Sequence, residues 1–471
     1  MRRWVAAVAA ASVIAMGMGV PVWAVETKGQ GDSGSPNVEI SMDGEINGTV
    51  PPALPNDLWR DILGLLNWQG LSRAMRLNTT VYSLGTTPQA WEPHLESLTT
   101  DQLTQLDAAH PALRQVTTRE RSYRMTAYAG GGTEIATTES QPSTAVRLFN
   151  GRGLGLDQAG NLYITDVSLQ KVLRVNAIDE TIDVIAGTGR EHYKGDGRLA
   201  TKTKFQHPWG VAVDQTGNVY IADYGSHKVL KVNAIDGILT TIAGTGESGY
   251  NGDGQPATEA RLDEPRGVAV DKAGNVYIVE SENARIRKVN AADGRISTYA
   301  GGGNEPIDGT GQLANTVSLQ FPWGMALDDT GNLYITEFER HQVLKIDGDG
   351  VLTIVAGTGR HDYSGDGQRA TAATLNFPRG LAVDPGGNLY IADSENNRIR
   401  KVNAADGIIS TVAGSGPTGS TASATSTPIG LDAMNTQLVK PQGVAVDKDG
   451  YVYFTEYSDE RVRRFRPRPN R

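Results

Sequence analysis

The chain has 471 residues, which is long enough for one large domain and a small one. Its 53 acidic residues outnumber its 44 Lys and Arg residues, and the formal net charge of −9 argues against binding nucleic acid or an anionic membrane by bulk charge. The chain has no cysteine, which excludes disulfides, thiolate metal sites and cysteine nucleophiles.

The first residues are typical of an export signal. Arg2 and Arg3 precede an apolar run over residues 4–20, and small or apolar residues follow over residues 21–24. This pattern predicts a signal peptide over residues 1–24, cleaved after Ala24, and hence a periplasmic or secreted protein with no membrane span after removal of the signal. The alternative is an N-terminal membrane anchor, for which the apolar run is short. Residues 25–50, rich in Gly, Ser, Asp and Asn, predict a flexible linker.

Residues 51–118 predict a small α-helical domain. Apolar residues recur at helical spacing over residues 57–66 and 71–77, and residues 95–106 suggest a further helix. The order of residues over 51–95 is similar to the F-box, a module that docks its carrier onto the adaptor subunit of cullin ubiquitin ligases. The positions matching its docking pattern are Leu54, Pro55, Leu58, Ile62 and Leu66. The resemblance implies an adaptor exported into a host cell, and the alternative is a helical cap on the following domain.

From residue 150 onward one phrase returns six times, as in Gly-Val-Ala-Val-Asp, a turn, and Asn-Val-Tyr-Ile-Ala-Asp. Each unit holds four short runs rich in Val, Ile and Tyr and bounded by Gly or Asn, as strands are. The recurring turns explain why glycine makes up about 12% of the chain, where about 7% is usual. Four strands at a fixed period predict the blades of a β-propeller. The opening glycines are Gly153, Gly210, Gly267, Gly324, Gly380 and Gly443.

The repeated phrase closely resembles the NHL repeat, whose family members form β-propellers. The sixth copy ends without a fourth strand, and residues 123–130 match the phrase that closes the other blades. We therefore predict an all-β six-bladed propeller over residues 119–471, in which an N-terminal strand completes the last blade.

The residue before each opening glycine is Arg or Trp in five of the six repeats. In a propeller these positions gather around the mouth of the central channel, on the face called the top. Arg is a forked hydrogen-bond donor and Trp a flat stacking surface, so the set is predicted to bind a protein, peptide or glycan partner. The alternative is that these side chains merely cover the channel mouth. The six residues, called the mouth residues below, are Arg152, Trp209, Arg266, Trp323, Arg379 and Gln442.

Structural roles are predicted for the repeated acids. An Asp opens the turn between the first two strands of each unit. A second acid ends each second strand, and in five of six units a basic residue follows five positions later, which predicts an ion pair across one turn. The alternative is an acidic rim that binds a cation. The strand-end acids are Asp166, Asp223, Glu280, Glu337, Asp393 and Glu456.

The sequence favours a non-catalytic protein without a cofactor or metal. The NHL resemblance brings in one enzymatic alternative, because some similar propellers are lyases with a central zinc held by several His. Of the five His in the repeats, only His207 lies at the mouth of a first strand, and no three occupy equivalent central positions. A metal-dependent lyase therefore stays as an alternative only.

Overall fold

The computed structural model describes residues 25–27, 38–40, 103–104, 123–190, 195–416, 431–457 and 459–468. Val25–Thr27 (β1) and Val38–Ile40 (β2) pair as a short antiparallel ribbon inside the predicted linker. Leu103 and Thr104 have helical backbone, within the helix predicted over residues 95–106. The predicted signal peptide, the five F-box-like positions and most of the predicted helical domain lie outside the described residues. Within the described part of the chain, no helix is long and apolar enough to cross a membrane.

The described residues between 123 and 468 form six antiparallel blades around a central channel, which confirms the predicted six-bladed propeller. From the channel outward, the first three blades consist of Gly151–Leu156 (β5), Leu162–Asp166 (β6), Lys171–Val175 (β7) and Thr181–Ala186 (β8); Pro208–Val213 (β10), Val219–Asp223 (β11), Lys228–Val232 (β12) and Ile238–Ala243 (β13); and Pro265–Val270 (β14), Val276–Glu280 (β15), Arg285–Val289 (β16) and Ile296–Gly301 (β17).

The other three blades follow the same order. They consist of Pro322–Leu327 (β19), Leu333–Glu337 (β20), Gln342–Ile346 (β21) and Val351–Ala356 (β22); Pro378–Val383 (β23), Leu389–Asp393 (β24), Arg398–Val402 (β25) and Ile409–Ala413 (β26); and Pro441–Val446 (β27), Val452–Glu456 (β28), Arg461–Phe465 (β29) and Thr126–Gly130 (β3). Two-residue strands extend the outer edges of the first, second and fourth blades: Gln141–Pro142 (β4), Arg198–Leu199 (β9) and Gln312–Leu313 (β18). Short 3-10 turns cover Ala200–Lys202, Tyr224–Ser226, Ala257–Glu259, Ala370–Ala372, Ser394–Asn396 and Ala433–Asn435.

The ring closes as the strand count predicts. β3, from the N-terminal end of the propeller, pairs antiparallel with β29 from its C-terminal end, with Gly130 opposite Arg461. The innermost strands contact their neighbours in the order β5, β10, β14, β19, β23, β27 and back to β5. Closure leaves the sixth blade without an open third-strand edge on which another chain could pair.

Burial explains the residue types of each strand. Five of the six second strands are buried over their whole length because each blade packs between two others, and all six are mostly apolar before the final acid. Six apolar clusters form the core, each between two adjacent blades. The propeller therefore has a ring-shaped core, and its channel end is free to carry polar side chains.

The turns between the first and second strands confirm the structural role predicted for their Asp residues. In the first blade Asp157 accepts hydrogen bonds from the Asn161 backbone N–H at 2.9 Å and from the Tyr163 hydroxyl at 3.2 Å. Gly160 adopts the positive φ of 88° that the turn requires. The same bond from a second-strand tyrosine to the turn carboxylate recurs in all six blades.

Candidate functional site

The fold brings the six mouth residues together at one end of the channel. Five of them line a cavity of about 80 Å³, and Arg379 contacts two of those five, Gln442 and Trp323. A space of this size holds several water molecules or one small functional group.

The opening glycines position these side chains. Each mouth residue is the second residue of an innermost strand, and the glycine that follows it packs against the backbone of the next blade. A Cβ at Gly153 would lie 2.4 Å from the carbonyl oxygen of Trp209, and one at Gly443 would lie 2.1 Å from that of Arg152. Only glycine permits this approach, which draws neighbouring mouth residues into a tight ring.

Aromatic rings flank the guanidinium groups. The Cζ of Arg266 lies 4.6 Å from the ring centroid of Trp323 and 5.2 Å from that of Trp209. Arg379 lies 4.9 Å from Trp323, and Arg152 lies 5.0 Å from Trp209. These are cation–π distances, so each indole is shared by two arginines on either side of it.

The three arginines differ in how their charge is balanced. Arg266 pairs with Glu264 at 3.2 Å and lies 3.6 Å from Glu282. Arg152 and Arg379 instead donate Nη1–H bonds to one acceptor, the Oε1 of Gln442, at 2.6 and 2.5 Å. Within the described residues neither of these two makes an ion pair with a carboxylate.

Burial is the main cause of the lowered pKa values of Arg152 and Arg379. Burial, and then the nearby charges of Arg379 and Arg266, lower the pKa of Arg152 to about 10. Burial also lowers the pKa of Arg379, which the charge of Glu395 opposes. Glu395 is itself paired with Lys440 at 2.9 Å. A chain of net charge −9 thus has a local positive site at its channel mouth.

A strip of further aromatic side chains beside the mouth was not predicted. Phe338 stacks on Trp323 with centroids 4.9 Å apart, and Phe377 lies 4.6 Å from Phe338. Tyr224 lies 5.3 Å from Trp209, and Tyr457, 55% exposed, lies 5.2 Å from Arg152. A signal was present in the sequence, because Tyr224, Phe338 and Tyr457 each directly follow a strand-end acid.

The strand-end acids are structural. All six are at most 2% exposed, and each accepts a backbone N–H from the loop that leads into its own blade, as Glu280 does from Asp263 at 2.9 Å. Their carboxylates are therefore buried anchors for the top-face loops. This geometry does not form the acidic rim that was the alternative.

The ion-pair partner predicted for these acids is wrong in the third, fifth and sixth blades, and in the first blade Lys171 donates to the Ala136 carbonyl at 2.9 Å. Glu280 pairs with Arg287, seven positions later, at 3.1 Å, while Arg285 donates to the Asn283 carbonyl. The corresponding partners of Asp393 and Glu456 are Arg400 and Arg463. All three arginines have no exposed surface. The physical reason is that the partner is a guanidinium enclosed between blades, where the low dielectric strengthens the attraction.

Loops with the sequence Gly-Asp-Gly, at residues 195–197, 252–254 and 365–367, contribute further carboxylates. Asp253 binds Arg287 at 2.9 Å and Asp366 binds Arg400 at 2.6 Å. In the second blade, where the arginine is replaced by Leu230, Asp196 accepts from Thr241 instead. The carboxylates of these three loops are therefore bound within the fold.

The fourth blade leaves its acid without such a partner. Leu344 occupies the place of the buried arginine, and the cation near Glu337 is Arg340 with its Nε at 3.6 Å. The Oε1 of Glu337 has no hydrogen-bond partner, and burial raises the pKa of this carboxyl to about 7.

Two of the four histidines in the described part of the repeats accept hydrogen bonds from loop backbone. His227 Nδ1 accepts the backbone N–H of Glu264 at 3.3 Å, and His341 Nδ1 accepts that of Phe377 at 3.1 Å. Each bond links one blade to the next. His192 lies outside the described residues, and within them no group of three or more His, Asp or Glu is placed to hold a metal ion.

Comparison with known families agrees with this architecture. Residues 144–249, 245–305 and 358–429 match the Teneurin NHL domain, and residues 319–346 match the NHL repeat. The propeller is an NHL-repeat β-propeller. Because these matches begin at residue 144, they do not reach residues 51–95, and the F-box-like resemblance stays a prediction.

The relatives of this NHL-repeat propeller are much longer proteins, in which the matched region is only one part. The chain is 31% identical over 268 residues to Protein SUPPRESSOR OF QUENCHING 1, chloroplastic, of Arabidopsis thaliana, which covers 53% of this chain and 24% of that protein. It is 31% identical over 301 residues to Teneurin-4 of Homo sapiens, which covers 55% of this chain and 10% of that protein. The matched region is thus a quarter or less of either relative.

A solved structure of similar fold is an auxiliary nutrient binding protein from Bacteroides thetaiotaomicron. It superposes with a TM-score of 0.52 at 14% identity, over 72% of this chain and 75% of that chain. At this identity the likeness concerns the fold alone.

Proposed function

We propose that this NHL-repeat propeller is a non-catalytic binding protein that holds a protein, peptide or glycan partner on its top face. The observation that carries the proposal is the pair of guanidinium groups, Arg152 and Arg379, which share one amide oxygen and lack a carboxylate partner in the described structure. Positive charge held in a partly buried site is stabilised when a partner supplies an anionic or strongly polar group.

The surroundings of these arginines suit recognition. Half-buried aromatic rings from several blades lie beside the mouth, and rigid aromatic and Arg side chains supply much of the binding energy in protein interfaces. Aromatic rings equally suit stacking against sugar rings, so a glycan fits the same chemistry. The six mouth residues comprise Arg, Trp and Gln, which supply donors and stacking surfaces and no side chain that titrates near neutral pH.

The proposed site of action is the periplasm or the cell exterior, because residues 1–24 have the pattern of a signal peptide. An adaptor role in a host cell rests on residues outside the described structure, and no described contact favours it.

A binding array tests the proposal. The full chain would be applied to immobilised peptides and glycans of graded acidity, in parallel with the double variant Arg152→Gln/Arg379→Gln. The matched control is Lys272→Gln/Lys448→Gln, which removes the same charge from exposed turns at the opposite end of the propeller.

We expect the top-face variant to lose ligands that the wild type and the control variant retain. Circular dichroism and thermal unfolding would show that all three proteins are folded. Binding that is equal in all three proteins, or a wild type that binds nothing on the array, would refute the proposal.

A further inference from the structure

We propose that the place filled by the Gln442 side-chain amide is a carboxylate subsite, in which Gln442 is an internal substitute that a ligand's carboxylate displaces. This inference rests on the proposed function, because it concerns the same channel mouth. It names the chemical group that is recognised there.

The position of Gln442 in the ring is the first argument. Arg and Trp alternate around the mouth until the sixth blade, where the alternation calls for Trp and the chain has Gln. Gln442 is consequently the one mouth residue with arginines on both sides, Arg379 from the fifth blade and Arg152 from the first. A tryptophan separates each of the other two pairs of mouth arginines.

The hydrogen bonds of Gln442 are the second argument. Its Oε1 accepts from Arg152 and Arg379 together, and its Nε2 donates to the Lys440 carbonyl at 2.8 Å. The side chain is only 4% exposed, so the oxygen holds both guanidinium groups where water scarcely competes. A carboxylate is close to an amide in size and shape, and it adds the negative charge that two guanidinium groups require.

Comparison with the third arginine of the mouth supports an absent anion at this position. Arg266, on the opposite side, has Glu264 and Glu282 within 3.6 Å. Arg152 and Arg379 instead share the amide oxygen of Gln442 as their hydrogen-bond acceptor and make no ion pair within the described residues. Two guanidinium groups thus meet at one neutral oxygen, where a carboxylate would supply a charge-assisted acceptor.

The dimensions of the mouth favour a carboxylate over a phosphate. The cavity of about 80 Å³ is lined by five mouth residues, Gln442 among them, and by the glycines and apolar residues that follow the mouth residues along the innermost strands. A phosphate dianion is larger, tetrahedral and more strongly hydrated, so it would lose more hydration energy in a small cavity with partly apolar walls. The carboxylate could come from a small organic acid, an acidic side chain or the C-terminus of a peptide.

The test is chemical complementation of Gln442→Ala, which vacates the subsite. The probe is propionate, which replaces the lost side chain with a carboxylate. Its controls are propionamide, which has the same shape without the charge, and inorganic phosphate. Binding to the full chain would be followed by calorimetry and by the shift of the thermal midpoint.

We expect Gln442→Ala to bind propionate at least tenfold more tightly than propionamide or phosphate, and at least tenfold more tightly than the wild type does. Gln442→Glu should raise the thermal midpoint and abolish propionate binding, because its carboxylate is already in place. The thermal midpoint and the propionate binding of Gln442→Glu test the subsite even if the alanine variant is unstable. Equal binding of propionate and propionamide by Gln442→Ala, tighter binding of phosphate, or undiminished propionate binding by Gln442→Glu would overturn the inference.

Two peptides identify the source of the carboxylate. One has a glutamate side chain with both termini blocked, and the other has a free C-terminus and no acidic side chain. Tighter binding of either one than of propionate, lost in Gln442→Glu, assigns the subsite to that source, and binding of propionate alone assigns it to a small acid.

The two proposals can fail separately. Loss of array binding in Arg152→Gln/Arg379→Gln, together with no effect of the Gln442 variants on propionate, would refute the carboxylate subsite and leave the top-face function standing. Array binding that survives loss of both arginines, together with selective propionate binding in Gln442→Ala, would refute the top-face function and leave the carboxylate subsite standing.

Discussion

We expect the substitution Glu337→Gln to stabilise the propeller above neutral pH. It removes the negative charge of a fully buried side chain. Glu337 has no exposed surface and one oxygen without a hydrogen-bond partner, and Leu344 lies where three other blades have a buried arginine. Its other oxygen accepts the Gln320 N–H at 2.9 Å, a bond that the amide oxygen of glutamine can keep. The substitution therefore removes an ill-compensated charge and preserves the loop anchor.

The magnitude follows from the pKa of this carboxyl, which burial raises from 4.5 to about 7 in the folded protein. A raised folded pKa means that the protonated form is favoured by folding, so this stabilisation is complete below pH 4.5 and is lost as the pH rises through 7. A pKa difference of one between the folded and unfolded protein corresponds to about 1.4 kcal/mol, so ionisation of Glu337 lowers the free energy of unfolding by about 3 kcal/mol at pH 8. Glu337→Gln should recover an amount of this order at pH 8 and almost nothing at pH 4.5.

Glu280→Gln is the matched control, because it is the same substitution at the equivalent position of the third blade. There the acid pairs with Arg287 at 3.1 Å, and neither side chain is exposed. Losing this carboxylate leaves a buried guanidinium with only Asp253, so we expect a loss of about 3–5 kcal/mol. The two substitutions should thus have opposite signs at pH 8.

Urea unfolding of the wild type and both variants, followed by circular dichroism at pH 5 and pH 8, measures these differences. Comparing each variant with the wild type at one pH cancels the titration of the other buried acids. A Glu337→Gln variant that is less stable than the wild type at pH 8, or one whose difference does not change with pH, would refute the reasoning.

Gly443→Ala should destabilise the propeller by about 1–3 kcal/mol or more, because its Cβ would meet the Arg152 carbonyl at 2.1 Å, whereas Gly348→Ala, with no atom within 4 Å, should have little effect; thermal unfolding compares them, and equal midpoints would contradict the close-packing argument. Removing residues 1–130 deletes β3 and opens the edge of β29, so that protein should self-associate, while a chain beginning at residue 119 should stay monodisperse; light scattering distinguishes the two, and identical behaviour would argue against ring closure as the protective feature. Leu344→Arg would place a guanidinium near Glu337, but Leu344 has no exposed surface and the longer side chain should overpack the core. We therefore expect stability to fall, and a more stable variant by urea unfolding would contradict this.

Much of the architecture could be predicted from the repeat alone. A unit with four strand-like runs and a fixed period specifies blades, and a sixth unit short of one strand identifies β3 as the closing strand. The mouth residues could also be placed, because equivalent positions in each unit of a ring fall on one circle. Their types, Arg and Trp, already indicated a binding surface.

Charge pairing could not be predicted from spacing. Glu280 is opposite Arg285 in the strand register, yet it binds Arg287 two residues further along. Both arginines lie on the same face of the strand, so periodicity does not separate them. The packing of the neighbouring blade buries Arg287 and leaves Arg285 partly exposed, and this burial decides which guanidinium reaches the acid.

The sequence by itself determined the ring, its closure and the circle of residues at its mouth, because each of these depends only on a repeating unit and its count. The tertiary structure decided how the charges on that circle are balanced. Arg266 meets Glu264 and Glu282, whereas Arg152 and Arg379 meet across Gln442. Such pairings depend on side chains from different blades that lie far apart in the chain and become neighbours only when the ring is closed.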